Sequence, residues 1–349
     1  MEEKIVNGKI VGGKIGKAED MPELGSRNRK LVRTFMDNNS VLILVVLLFV
    51  GFIGIDAFRT SFYNVILYSA LYGVVCLGLS LIMITGNIDL SLGYMAAFCG
   101  VVVVLTFNGI YASTGNAALG MVLGIVAALI VGGLLGAFNG VIVTKVGVSP
   151  LIATIATNYI YQGLVYNFAQ TSFAPTDKTL IATVAKTQIA GIKWLTPMTI
   201  IFLLFVIGVF AWMYKTGFGN RLHVVGDNPE AAEYAGISVP QTVLVTFIIA
   251  GVFAAVTGFM MVSFNGYAIY TQGDFLGTFP ISCCVIGGIK MTGGKGTAVH
   301  VLLGILIMRT ISTMMSAMFW NAYRVNLVTG ILLVLVLVID HFTSEKKED

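Results

Sequence analysis

Along the chain, long apolar runs alternate with short polar breaks. The runs cover residues 41–58, 63–84, 91–107, 117–144, 150–169, 196–214, 241–262, 279–291, 297–317 and 322–342. Most are long enough to cross about 30 Å of hydrocarbon as helices. The pattern predicts an all-α membrane protein, a polytopic bundle of about ten transmembrane helices spanning 41–343. The second and third runs are almost continuous, and a broken helix is predicted near 85–93. Residues 1–40 form a polar tail holding the loose repeat Ile5-Val6-Asn7-Gly8-Lys9 and Ile10-Val11-Gly12-Gly13-Lys14, and 344–349 form a second tail. Between the runs, 170–193 is predicted to be an external segment and 215–240 a cytoplasmic loop.

Charge agrees with this picture. Lys, Arg, Asp and Glu total 38 of 349 residues, where a soluble chain would carry roughly a quarter of its residues as charges. Residues 1–40 hold 14 and residues 345–349 hold 5, which leaves 19 for the 304 residues between them. That is too few to cover a soluble surface. With 57% hydrophobic residues and 40 glycines, the interior reads as lipid-facing, closely packed helices. Arg27, Arg29, Lys30 and Arg33 precede the first run as a cytoplasmic anchor. If the amino terminus is cytoplasmic, that side collects 15 Lys and Arg and the other side 5, as the positive-inside rule requires. Both termini are thus expected in the cytoplasm. The net charge of +4 is no nucleic-acid signal.

Other chemistry is sparse. Cys76, Cys99, Cys283 and Cys284 lie inside apolar runs without C-x-x-C spacing, which suits packing rather than a disulfide or metal site. His223, His300 and His341 are scattered and suggest neither a metal site nor a catalytic triad. Gly8 to Lys14 fits most of a phosphate-binding loop, but Ile15 takes the Ser/Thr position, so the chain is not expected to bind ATP itself. Trp194, Trp212 and Trp320 fall near run ends, as interfacial anchors do. Arg309 lies within a run and is a functional candidate by default.

Four features carry mechanism. The fourth run places Gly120, Gly124, Ala128, Gly132, Gly136 and Gly140 at every fourth position, a stripe that lets another backbone approach closely. Ala250, Ala254 and Gly258 repeat the device more weakly. In Thr85 to Gly93, an Asp89 at membrane depth would cost about 2.5–3.5 kcal/mol. Asp89 or Ser91 could cap the restarted helix, and Asn87, Asp89 and Ser91 could line a solute path, since irregular backbone at that depth is tolerated in protein or at a cavity. The two readings are compatible. In the fifth run, Thr154, Asn158, Tyr161, Gln162 and Tyr166 share a broad face. They suit either a polyhydroxylated solute or interhelical hydrogen bonds. Finally, Asn228 and Pro229 predict a short helix, with Glu230 at its positive end and Gly236 terminating it. Such a capped helix between two spans invites docking to a soluble partner.

That last segment resembles the Glu-Ala-Ala coupling loop of ABC importer permeases of the ribose/galactose/xylose type. Gly226, Asn228, Pro229, Glu230-Ala231-Ala232 and Gly236 carry the resemblance, with Asp227 where a Gly is usual. Asn87 to Gly93 is similar to the same family's G-G-I-D-L-S-x-G signature, with Asn87 in place of the second Gly. Gly287 to Thr297 resembles its glycine-rich third signature. Arg309 departs from the small or apolar residues usual there. The resemblance covers 60–342 and excludes the tail. It implies a bacterial-type inner-membrane permease with a second permease copy, identical or not, a cytoplasmic ATP-binding subunit pair holding ATP and Mg, and an external solute-binding protein. ATP-driven import of a sugar-like solute by alternating access is the expected function. A nucleoside or branched-chain amino acid is the alternative cargo, and an ion-coupled secondary transporter using Asp89 the alternative mechanism.

Overall fold

The computed structural model describes residues 39–321, 323–331, 334 and 338. The basic anchor, the tail repeat, His341 and residues 344–349 lie outside the described residues. The described chain is a bundle of helices. In order they are α1 (Asn39–Gly54), α2 (Asp56–Ser61), α3 (Tyr63–Ile84), α4 (Leu92–Thr114), α5 (Ala117–Val141), α6 (Pro150–Phe168), α7 (Thr179–Lys186), α8 (Pro197–Lys215), α9 (Gly217–Asp227), α10 (Pro229–Tyr234), α11 (Val239–Asn265), α12 (Phe279–Gly287) and α13 (Ala298–Ala317). Residues 323–331 are helical as well. Six of these helices are long and apolar enough to cross a membrane, among them α5, extended by a π-turn to Val146.

Two expected spans are corrected. The first run does not continue to residue 58: Ile55 is extended and Asp56 opens α2, with the Arg59 Nε donating back to the Phe52 carbonyl at 2.5 Å. The eighth run does not span alone. Its helix has nine residues, about 13 Å of rise, and ends where Gly288 takes a left-handed φ of +103°.

The core is built on α11, which packs against α3, α4 and α5, while α8, α12 and α13 close around α3. Buried residues run almost unbroken from Ser69 to Thr85, so α3 is apolar all round because protein covers it on every side. Gly132 and Gly136 of α5 face the carbonyls of Gly251 and Phe247, and Gly124 faces that of Val103 on α4. Any side chain at these points would meet backbone that cannot move aside. The glycines of α11 that meet its neighbours are Gly251, against Gly132, and Gly258, against Ala96 on α4. Ala250 faces Gly78 of α3 instead.

Candidate functional site

The three glycine-bearing segments that lie far apart in sequence meet at one end of the bundle. α3 ends in a turn where Gly86 has a φ of +76° and Asn87 N–H closes on the Ile82 carbonyl at 3.2 Å, a termination that needs a residue without Cβ. The Gly294 N–H, from the loop after α12, donates to the Ile84 carbonyl at 2.9 Å. His223 of α9 donates its Nδ1–H to the Gly294 carbonyl at 2.9 Å. Gly226 of α9 packs onto the Ile84 carbonyl and the Gly294 nitrogen. A cavity of about 460 Å³ opens at this junction, with Gly86, Asn87, Gly226, Asp227, Pro229 and Thr292 in its wall.

Beside the junction, the 215–240 loop holds two helices where the sequence predicted one. α9 is capped by Thr216, whose hydroxyl accepts the Gly219 N–H at 3.4 Å. α10 follows at once, with Asn228 Oδ1 accepting the Ala231 N–H at 2.9 Å and Pro229 in its first turn. Gly236, at φ +79°, ends the pair, while Ile237 N–H closes on the Ala232 carbonyl at 2.9 Å. Ala232 is buried and anchors α10. Glu230, Ala231 and Glu233 are exposed, as is the Tyr234 ring at 92%. The result is a fixed, solvent-facing knob with acidic and aromatic groups on it.

Inside the bundle lies a closed polar network. After Gly86 the chain runs without regular structure to Ser91, and the next helix, α4, starts at Leu92. Asp89 Oδ1 accepts the Ser91 N–H at 2.8 Å and the Ser91 hydroxyl at 2.7 Å. Ser91 therefore donates to Asp89 and does not cap α4 with its own hydroxyl. Asn139 on α5 donates its amide to Asp89 Oδ2 at 3.1 Å and to Ser91 Oγ at 2.8 Å. The Tyr161 hydroxyl of α6 lies 3.0 Å from Asn139 Oδ1 and 3.2 Å from the Leu135 carbonyl. Asp89, Ser91, Asn139 and Tyr161 are all nearly or wholly buried. Among the described residues no lysine or arginine pairs with Asp89, so neutral donors alone hold this carboxylate.

One residue further along α6, Gln162 Nε2 donates to the Tyr94 hydroxyl at 2.7 Å, and Tyr94 donates to Asp274 in the turn before α12. Gly93 permits that approach, since a Cβ there would meet the Gly273 carbonyl. The predicted path residues thus divide. Asp89, Ser91 and Tyr161 share one network, Gln162 belongs to its neighbour, and Asn87 lines the junction cavity. Thr154 returns its hydroxyl to the Pro150 carbonyl at 2.8 Å within its own helix, and Asn158 is half-buried.

Sequence reasoning missed Asn139, Tyr94 and Asp274. Asn139 carried a signal, as the only polar residue between Ala117 and Val141. Asp274 had one too, as the only acid between α11 and α12. Arg309 has aromatic rings around it: the ring centroids of Phe279, Tyr72, Phe275 and Tyr68 lie 4.2, 4.5, 4.9 and 5.7 Å from its guanidinium carbon.

The family model described as branched-chain amino acid transport system / permease component matches residues 61–337. Among curated proteins, the chain is 29% identical over 315 residues to the autoinducer 2 import system permease protein LsrC of Yersinia pestis strain Pestoides F. That match covers 88% of this chain and 86% of the relative. The protein of the same name from Yersinia pseudotuberculosis serotype O:3 strain YPIII matches at the same identity and coverage. No solved structure matches the chain.

Proposed function

We propose how this chain, which belongs to the branched-chain amino acid transport system permease family, carries out transport as the membrane-spanning subunit of an ABC importer. Its cargo is a small sugar-like solute, delivered by an external binding protein and moved inward by a paired cytoplasmic ATPase. The similar permeases are named for an autoinducer 2 import system, which supports import as the direction of transport. In this reading the α9–α10 end faces the cytoplasm, both termini lie on that side, and a second permease copy completes the path in a bacterial-type inner membrane. ATP and Mg reside in the partner ATPase.

The observation that carries the reading is the junction. A docking knob rests on the core through α9 and, over a smaller contact, through α10 against α11, and α9 seats Gly226 on the broken end of α3 and on the loop after α12. A push on α10 therefore reaches the two interrupted elements directly, and these are the places where a packed bundle can rock between two arrangements. Neutral partners close off Asp89, which favours a framework role for it over an ion relay.

Co-purification tests the reading. The tagged chain in mild detergent should bring down a stoichiometric ATPase subunit, and Glu230→Lys should abolish that association while leaving thermal stability unchanged. An ATPase-free preparation whose reconstituted uptake follows an ion gradient would sink it.

A further inference from the structure

Arg309 sits within α13 and is 7% exposed. Its Nε and Nη2 have no hydrogen-bond partner, and no ion pair reaches it among the described residues. Four aromatic rings from α3 and from the 275–279 stretch surround the guanidinium. Cation–π attraction favours a positive charge there. It does not satisfy the N–H donors, which form a rigid fork shaped for a carboxylate or phosphate. Arginine keeps its proton in proteins, so the fold maintains a buried cation with open donors.

That guanidinium lies in the wall of a cavity of about 450 Å³ at the end of the bundle opposite α9 and α10. The same wall carries Asn64, Ser312, Thr313, Ser316 and Asn326, which offer hydroxyls and amides but no carboxylate. A second cavity of about 340 Å³ adjoins it, sharing Phe275 and Asn326 and adding Thr278, Ser282 and Asp274, whose carboxylate takes the Tyr94 hydroxyl and makes no ion pair with Arg309. We infer that the Arg309 cavity is an anion subsite: the guanidinium takes the carboxylate or phosphate of a small hydroxylated solute, and the surrounding amides and hydroxyls take its hydroxyl groups. The import reading supplies the origin of such a solute, while the binding itself is independent of it.

The test uses the full chain in nanodiscs of neutral phosphatidylcholine, so that no anionic lipid competes. Glucuronate, ribose 5-phosphate, glucose and inorganic phosphate are titrated at low salt, and binding is read from the shift in thermal unfolding. At least one of the two charged sugars should bind roughly ten- to a hundredfold more tightly than glucose, as a charge-assisted pair implies, and added salt should weaken it. Arg309→Met should remove that advantage. Asn64→Asp should do the same with the arginine retained, because a fixed carboxylate then occupies the cavity. Equal binding of glucose and both charged sugars, no anion response, or an advantage that persists in both variants would overturn the inference. Inorganic phosphate binding as tightly as the charged sugars would overturn the solute assignment in favour of a free anion. ATPase co-purification is untouched by any of these outcomes, so the failure of this inference and of the import reading are separable.

Discussion

Asn139 joins three helices through one amide, donating to Asp89 and Ser91 while it receives from Tyr161. Replacing it with Leu keeps the volume roughly constant but removes the only donor to Asp89 Oδ2 among the described residues. An orphaned buried acceptor costs about 1–3 kcal/mol, and more when the group is charged. Asn139→Leu should therefore lower the unfolding temperature in detergent, and Asn139→Asp should lower it further by facing one carboxyl with another. Unchanged stability in the Leu variant would mean that some other group satisfies Asp89, and the network would lose its structural role. Gly226 sets a different constraint, because a methyl group there would overlap the Ile84 carbonyl and the Gly294 nitrogen. Overpacking of this kind costs about 1–3 kcal/mol, so Gly226→Ala should destabilise the chain even though alanine is the better helix former. A stability equal to the parent would show that α9 can lift off the junction without loss.

At the scale of elements, helix packing here depends on missing side chains. Helices in lipid gain no hydrophobic drive from one another, so close backbone approach takes its place. The stripe on α5 brings Gly132 and Gly136 onto the backbone of α11. Gly132→Leu should force the two helices apart and abolish folding or expression, whereas Gly133→Leu, which meets only a valine methyl at 3.5 Å, should be tolerated. The matched pair separates packing from propensity, since both positions lie on one helix; equal tolerance would sink the packing account. The stripe on α5 was legible because its four-residue period is a property of one segment. The partner face on α11 was only partly so: Gly258 lies on the expected spacing and meets α4, but Ala250 turns to α3 and the contact to α5 falls on Gly251, outside that spacing. The short α12 misled for a related reason: an apolar run of thirteen residues does not reveal where a left-handed glycine will cut it.

Across the whole molecule, what sequence could not show is assembly. Residues 86, 226 and 294 are individually ordinary glycines, and their meeting is a property of the bundle. The cage around Arg309 draws on residues near 70 and near 277, far from it in sequence, so its own helix could not reveal it. Helix α10, by contrast, was readable from Asn228, Pro229 and Gly236, because capping is local chemistry, whereas α9 was not expected. This difference makes docking and transmission experimentally separable. Glu230 lies on the exposed face of α10, while Gly294 lies behind it with a φ of +74° and its Cβ position 3.0 Å from Asp227 Cα. Gly294→Ala imposes left-handed strain, on the order of 1–3 kcal/mol, at the point where α9 touches the core, and leaves the knob's surface unaltered. The ATPase should still co-purify with this variant at full stoichiometry, yet uptake driven by ATP in proteoliposomes should fall at least tenfold. Loss of the ATPase would place Gly294 in docking instead. Full uptake would mean that force enters the bundle elsewhere, and the C-terminal end of α9 would no longer be the transmission point.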